Sequence, residues 1–274
     1  RACNFYYGPI SIEKVKKKQS IPLHGNKLVS FDTVEILTRK DIKRFNIKEI
    51  SKIGSIEKKK IIIDIKKISQ RKKIKGLKLS HKPLLMGVLN LTPDSFSDGG
   101  RFNKKSFGVK HSKKLIRDGC DILDIGGEAT NPGSKEIDID EEWKRIFPTL
   151  SKIKKLRKFI SLDTRKSIVM EKGIKNKINL INDISGLDHD PNTVNVLKKS
   201  NIPFVIHHIQ GNPVTMQNKP KYKNVILDIY DFFENKIKYI RSKGIKHNNI
   251  ILDPGIGFGK NLKHNITLLR NISI

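Results

Sequence analysis

Six short apolar runs, each followed by polar residues, constrain the fold of this 274-residue chain more than any other feature. The runs occupy 84–90, 121–127, 159–163, 178–185, 202–208 and 249–255. Longer segments with apolar residues at helical spacing lie between them. Short apolar strands that alternate with helices are typical of βα units around a parallel sheet. The sequence from about residue 83 onward therefore predicts an α/β fold with six βα units.

The unusual polar residues fall at or just after the carboxyl end of each predicted strand. They are Asn90, the segment 124–130, Asp163, Asn182, Asp183, His207, His208 and Asp253. In a (β/α)8 barrel the catalytic and binding residues lie at this end of the strands. The pattern predicts a ligand site along one edge of the sheet.

Residues 1–80 do not share this alternation, and we interpret them as an N-terminal extension or small subdomain that precedes a barrel over 81–274. The segment 27–40 predicts strands. The Lys/Ile tract at 58–73 fits both a helix and a strand, and its period does not decide between them.

Composition narrows the class of protein. Cys3 and Cys120 belong to no Cys/His cluster with zinc spacing, which indicates a reducing, cytoplasmic compartment. No apolar run approaches the roughly 18 residues of a spanning helix, so we expect no membrane partner. The formal charge of +29 raises the possibility of nucleic-acid binding. The Lys and Arg residues of the chain are spread along its whole length without interleaved aromatic residues. This distribution predicts a solvated basic surface and not a nucleic-acid site.

Six motifs carry a resemblance to a known family. They are MGVLNLTPDSFSDGGRF (86–102), DILDIGGEATNPGS (121–134), SLDTRKSIV (161–169), INDISG (181–186), HHIQGNPVTMQ (207–217) and LDPGIGFGKNLKHN (252–265). In order and spacing they resemble dihydropteroate synthase. The resemblance implies a (β/α)8 TIM barrel, a homodimer, and condensation of 4-aminobenzoate with a dihydropterin methyl diphosphate to give dihydropteroate and pyrophosphate.

A pterin presents neighbouring N–H donors, so its recognition requires carboxylate and amide acceptors in a pocket. The resemblance assigns this binding to Asp163, Asn182 and Asp253. It implies further substrate contacts by Thr130, His208, Phe258 and Lys260. It also implies that Asp124, Asp163 and Asp253 surround a cationic pterin methylene during catalysis.

The resemblance implies Mg²⁺ as the cofactor, with Asn90 supporting it, since Mg²⁺ keeps waters and phosphate oxygens and takes few protein ligands. The loop 91–101 would close over the reacting centre. Two other interpretations of the motifs fail. GIGFGK at 255–260 lacks the residues of a phosphate loop, and His207 and His208 point to opposite faces of a strand, so they cannot share a metal.

The chain departs from the family pattern in three places. Asn131 stands where an Arg that pairs with diphosphate is usual, and an amide does not replace that contact; Lys135 is one candidate to compensate. His207 stands where a Met is usual. Ile274 follows the sixth βα unit, so we expect a barrel that is incomplete at its carboxyl end and, as an isolated piece, prone to aggregation.

Two alternatives to the synthase remain open. The first is a catalytically impaired pterin-binding homologue, suggested by Asn131. The second is a pterin-dependent methyltransferase domain, which TPDSFSDGG and the Asn90 loop disfavour because methyl transfer has no diphosphate to hold.

Overall fold

The computed structural model describes residues 1–79, 83–92, 104–130 and 133–272. It divides into two compact units, Arg1–Lys73 with Asn271 and Ile272, and Ile74–Arg270. The boundary at residue 80 that the sequence suggested adjoins residues outside the described ranges, and it stays a prediction.

The first unit is an antiparallel sheet with two helices. Its elements are β1 (Ala2–Tyr7), α1 (Gly8–Lys16), β2 (Ile21–Leu23), β3 (Asn26–Leu37), β4 (Ile42–Asn46), a 3₁₀ helix (Ile47–Lys52) and α2 (Ser55–Ser69). The long β3 pairs with β1, β2 and β4. Residues 27–37 of the segment 27–40 thus form the predicted strand, and the Lys/Ile tract, which the sequence left open, is helical as far as Ser69. Ile61, Ile65 and Ile68 of α2 pack on the core of this unit at helical spacing.

The second unit alternates strands and helices. Its elements are β5 (Met86–Asn90), α3 (Lys104–Arg117), β6 (Ile122–Gly126), α4 (Ile139–Ile153), β7 (Phe159–Asp163), α5 (Ser167–Lys175), β8 (Leu180–Asp183), α6 (Thr193–Ser200), β9 (Phe204–His207), α7 (Val225–Ser242), β10 (Ile250–Asp253) and α8 (Leu262–Arg270). Short 3₁₀ helices cover Lys154–Leu156 and His247–Asn249. The six predicted βα units are confirmed.

The six strands form one parallel sheet in the order of the chain, from β5 to β10. Consecutive parallel neighbours joined by helices are the architecture of a (β/α)8 barrel. Within the described residues β5 and β10 lie at the two edges of the sheet.

Register fixes which side chains share a face, because side chains alternate along a strand. One face, which we call the helix face, packs against the helices and holds the core. Its fully buried members include Leu123, Ile125, Leu162, Ile181 and Ile206. Full burial of such a side chain contributes about 1.5–3 kcal/mol. The opposite face, which we call the inner face, carries most of the polar strand residues that the sequence singled out, whereas Asp183 lies on the helix face.

None of the helices in the described ranges combines the length and apolar character needed to cross a bilayer.

Candidate active site

The inner face brings together five of the side chains that the sequence singled out. Register pairs Asn90 with Gly126 and Gly126 with Asp163, and Asp163 in turn pairs with Asn182. Asp124 lies two residues before Gly126 on the same face, and Asp253 pairs with His207 on the far strands. The strands therefore present three carboxylates and two amides to one side of the sheet at its carboxyl end.

Asp124 is nearly enclosed, with 3 % of its surface exposed. Its Oδ2 accepts a hydrogen bond from Asn182 Nδ2 at 2.9 Å, while Oδ1 has no partner among the described residues. Burial raises the pKa of the Asp124 carboxyl, and the hydrogen bond from Asn182 opposes this rise. A carboxylate oxygen without a partner retains capacity to bind a donor.

Asp163 ends the next strand and is half-buried. Burial raises the pKa of its carboxyl well above the usual value, and the charge of Asp124 adds to the rise. In the part of the chain that the structure describes, no Lys or Arg forms an ion pair with Asp124 or Asp163. The two carboxyl groups therefore strongly favour a cationic neighbour.

Gly126 keeps space open between two of these side chains. A Cβ at this position would lie 3.3 Å from Asp163 Oδ2 and 3.6 Å from Asn90 Oδ1. Any larger residue would crowd both polar atoms, so the glycine maintains a gap between the Asn90 amide and the Asp163 carboxylate.

His207 and His208 lie on opposite faces, as the strand geometry predicts. His207 faces inward: its Nδ1 lies 3.1 Å from the Ile184 carbonyl, and its ring meets Phe258 edge-on with centroids 4.6 Å apart. Burial lowers the pKa of His207. His208 instead meets Phe232 of α7 edge-on at 4.9 Å.

Lys260 and His208 form a buried pair between two loops. Lys260 Nζ donates to Phe258 O at 2.8 Å and His208 O at 3.2 Å, and it lies 3.0 Å from His208 Nδ1. Burial lowers the pKa of Lys260 to about 8, and burial together with Lys260 lowers that of His208 to about 3. Three protein acceptors match the three protons of the ammonium group. The pair ties the end of β9 to the loop after β10.

The glycines of the loop after β10 permit close approach of neighbouring backbone segments. This packing role explains the glycine spacing of GIGFGK, which therefore does not require a phosphate-binding loop. Gly255 has φ +67°, and a Cβ there would lie 2.0 Å from His208 O. Gly259 has φ +62°, and its Cβ would lie 2.8 Å from the backbone of Gln210. A side chain at either position is excluded by both strain and space.

Thr130 lies in the loop after β6, half-buried, and the structure anchors this loop through Glu128. The Glu128 carboxylate accepts hydrogen bonds from Arg165 Nε at 2.9 Å and Lys166 Nζ at 2.8 Å. Lys166 also donates to Glu142 at 2.8 Å. Sequence reasoning missed this cluster, although the alternating charges of EATNPGSKE and DTRKS at two strand ends carried a signal for it. The two positions of the loop that include Asn131 lie outside the described residues, as do residues 93–101 of the predicted closing loop.

Among the residues that the structure describes, a divalent cation has one candidate protein contact. In the described ranges no three His, Cys, Asp or Glu side chains are close enough to hold a metal. The exposed Asn90 amide offers a hard oxygen beside the gap above Gly126, which suits an ion that keeps waters and substrate oxygens as its other ligands.

Comparison with known proteins places this geometry in a family. The family described as "Pterin binding enzyme" matches residues 86–274. The chain is similar to the dihydropteroate synthase of Escherichia coli K12, at 41% identity over 199 residues that cover 72% of this chain and 70% of that protein. It is also similar to that of Neisseria meningitidis serogroup C, at 39% identity over 193 residues, covering 70% and 68%.

Solved structures agree with these relatives. The Yersinia pestis dihydropteroate synthase in a sulfonamide drug complex superposes with a TM-score of 0.68 at 38% identity, covering 73% of this chain and 74% of that one. The Xanthomonas albilineans enzyme in complex with 7,8-dihydropteroate gives 0.62 at 31% identity, covering 71% and 69%. The chain belongs to the dihydropteroate synthase family of pterin-binding enzymes.

Proposed function

We propose that this chain catalyses the reaction of its family: condensation of 4-aminobenzoate with (7,8-dihydropterin-6-yl)methyl diphosphate, giving 7,8-dihydropteroate and pyrophosphate in folate biosynthesis. The observation that carries the proposal is the set of side-chain oxygens on the inner face that can still accept hydrogen bonds. Asp163, Asn182 and Asp253 come from three strands and offer oxygen atoms to one side of the sheet.

The acceptors match the donors of a pterin. Its ring N–H and exocyclic amine lie side by side, so two or more oxygens from neighbouring strand ends can bind them together. Asp253 Oδ1 already accepts from Gly255 N at 2.8 Å, which leaves Oδ2 for the ligand. The Asp163 side chain makes no hydrogen bond within the described residues, which leaves both carboxylate oxygens for the ligand. Phe258 lies against the inner-facing His207 and contributes an apolar wall for the ring.

The same carboxylates favour the charge that develops during reaction. When the carbon–oxygen bond to diphosphate breaks, the electron pair leaves with the oxygen and the pterin methylene becomes cationic. Asp124, Asp163 and Asp253 would stabilise this cation. The aryl amine then forms the new carbon–nitrogen bond and loses a proton. Because burial already raises the pKa of Asp124 and Asp163, these groups gain the most when a cation arrives between them.

The diphosphate occupies the loops above the strand ends. We assign Thr130 to the diphosphate and aminobenzoate side, and Asn90 to Mg²⁺. A bound Mg²⁺ would supply positive charge to the diphosphate oxygens, which Asn131 in place of an Arg makes more necessary. For Lys260 and His208 we propose a role in substrate binding, exerted through the loops after β9 and β10 that they join.

We further propose a cytoplasmic homodimer whose partners are these small molecules rather than nucleic acid. The unpaired thiols of Cys3 and Cys120 suit a reducing compartment. Light scattering of the purified protein at two concentrations tests the dimer, and a molar mass equal to one chain at both would overturn it.

The test of the reaction is pyrophosphate release by the protein expressed from its complete reading frame. We expect release that requires both 4-aminobenzoate and Mg²⁺. Calorimetry with a hydroxymethyl pterin, run in parallel, separates the alternatives. Tight pterin binding without release would favour a catalytically impaired homologue, and Asn131→Arg should then restore turnover. The absence of both pterin binding and pyrophosphate release would reject the assignment.

A further inference from the structure

A network of charged side chains joins three successive strand ends outside the set that faces the pterin. It consists of Glu128 and Glu136 in the loop after β6, Glu142 in α4, Arg165 and Lys166 after β7, and His189 after β8.

Glu128 is the centre of this network. Its Oε1 accepts from Lys166 Nζ at 2.8 Å and from the Ile137 backbone N–H at 3.0 Å. Its Oε2 accepts from Arg165 Nε at 2.9 Å. The bond to Ile137 joins the two ends of the loop that contains Thr130, so one carboxylate closes the loop on itself and fastens it to the next strand end.

The base of the same loop is held a second time. Arg145 Nη1 of α4 donates to the Gly127 carbonyl at 3.2 Å. A Cβ at Gly127 would lie 2.7 Å from the Glu142 carbonyl, so the loop packs directly on the helix backbone. The loop therefore leaves β6 from a rigid support.

The network reaches the pterin side through the chain itself. Arg165 and Lys166 follow Asp163 by two and three residues, so the ion pairs of Glu128 hold the chain directly beside that carboxylate. Arg165 Nη1 lies 3.3 Å from His189 Nδ1, and His189 Nε2 lies 3.1 Å from Glu136. His189 lies in the loop after β8, which follows Asn182, so the charged network also includes that loop.

These cations are committed to the protein. Lys166 is 5 % exposed and donates to two carboxylates. Three nitrogens of Arg165 each face a protein partner. Hydrogen bonds from Arg165 and Lys166 outweigh burial and lower the pKa of Glu128, so it is ionised at neutral pH. The network thus positions loops and leaves substrate contact to its neighbours.

We propose that Glu128 is a positioning residue that fixes the loop carrying Thr130 against the strand end carrying Asp163, and so governs turnover without touching either substrate. This inference rests on the proposed synthase reaction. A displacement of reacting groups of about 1 Å can cost on the order of 100-fold in rate, which sets the expected scale.

The test compares Glu128→Gln with the matched control Glu171→Gln, which removes an exposed charge from α5 outside the network. We expect kcat for pyrophosphate release to fall at least tenfold in Glu128→Gln. The calorimetric Kd for hydroxymethyl pterin should change less than threefold, and Glu128→Asp, which keeps the charge, should recover part of kcat. Glu171→Gln should match the wild type. Hydrogen exchange at the amides of Thr130 and Gly133 should accelerate in Glu128→Gln alone.

An unchanged kcat in folded Glu128→Gln would overturn the proposal, and so would a rise in KM and pterin Kd with kcat preserved, because that result means direct contact with substrate. If Glu128→Gln does not fold, Arg165→Gln removes one partner of the same carboxylate and carries the same expectations. If the wild type itself releases no pyrophosphate, the synthase assignment fails. The positioning role of Glu128 is then judged separately by amide exchange, and unaltered exchange at Thr130 and Gly133 in Glu128→Gln would reject it.

Discussion

Two groups of acidic residues lie near the carboxyl ends of β6 and β7, and they differ in their surroundings. Glu128 and Glu142 share the ammonium group of Lys166. Asp124 and Asp163 have no Lys or Arg partner within the described residues. Burial raises the pKa of both, as it also does for Glu142, so the difference between the groups lies in the cation partner. A paired buried charge is already stabilised by the protein, whereas an unpaired one gains from a ligand. The comparison indicates that the first group holds loops and the second binds substrate.

Removal of the shared cation should have the largest effect on stability. Lys166→Met leaves two buried carboxylates facing each other, which costs about 3–5 kcal/mol of unfolding free energy. Urea unfolding measures this loss. The control Lys172→Met breaks the solvent-exposed pair with Asp140 and should cost less than about 1 kcal/mol. Equal losses of unfolding free energy in both variants would show that the buried ion pairs of Lys166 stabilise the fold no more than a surface pair does.

Asp163→Asn, in the group without a cation partner, should lower activity and leave the free energy of unfolding intact. The substitution removes a carboxylate that has no protein cation, so we expect unchanged or slightly raised stability. Loss of charge beside the pterin methylene should lower kcat/KM by about 10²–10³-fold, the scale of one lost electrostatic group. Steady-state pyrophosphate release and a urea titration on the same preparation check the two parts. A strong loss of stability would place Asp163 with the paired group.

Asp183 offers a test on the helix face. It is fully buried on β8 with Oδ2 unpartnered, and burial raises the pKa of its carboxyl to about 6. Since the folded state then holds a proton that the unfolded state releases, stability falls as pH rises from about 4 to about 6. Between pH 5 and 7.5 the expected loss is on the order of 1 kcal/mol.

Asp183→Asn should remove this part of the pH dependence, as judged by urea unfolding at both pH values. Asp140→Asn, at an exposed position on α4, is the control because Asp140 is not among the groups that shift the pKa of Asp183. An identical pH dependence in wild type and Asp183→Asn would mean that Asp183 is not protonated in the folded state.

His207→Met should have the smallest effect. Burial lowers the pKa of His207, so at pH 7 a neutral ring of similar volume is replaced. The loss of the contact with the Ile184 carbonyl should cost about 1 kcal/mol. We expect the Kd for hydroxymethyl pterin to change less than tenfold by calorimetry. A larger change would mean that the imidazole binds the ligand directly.

Much of this arrangement follows from sequence, for physical reasons. Alternation along a strand predicted that His207 and His208 point to opposite faces, and the positions of Asp124 and Asp163 on neighbouring strands indicated that they lie close together. Which histidine faces inward is given by the structure alone. The pairing of Lys166 with Glu128 joins residues 38 apart in the chain, a separation at which local pattern carries no information. Lys260 shows the same limit. Its motif suggested substrate contact, which stays a prediction, and the two carbonyls and the His208 Nδ1 that surround its ammonium group are positioned by the loop fold.

The helix α2 illustrates why local pattern sometimes leaves two answers. Repeated Lys and Ile give apolar residues at both two-residue and four-residue spacing. Packing of one stripe against the sheet of the first unit decides for the helix, and that tertiary contact cannot be inferred from the tract alone.

The most direct test of the distinction between paired and unpaired carboxylates is the affinity for pterin without chemistry. Calorimetric titration of hydroxymethyl pterin into wild type, Asp163→Asn and Glu128→Gln measures it in one experiment. We predict that Asp163→Asn weakens binding at least tenfold while Glu128→Gln leaves Kd within threefold of the wild type. Undiminished binding by Asp163→Asn would contradict the assignment of the inner-face carboxylates to the substrate.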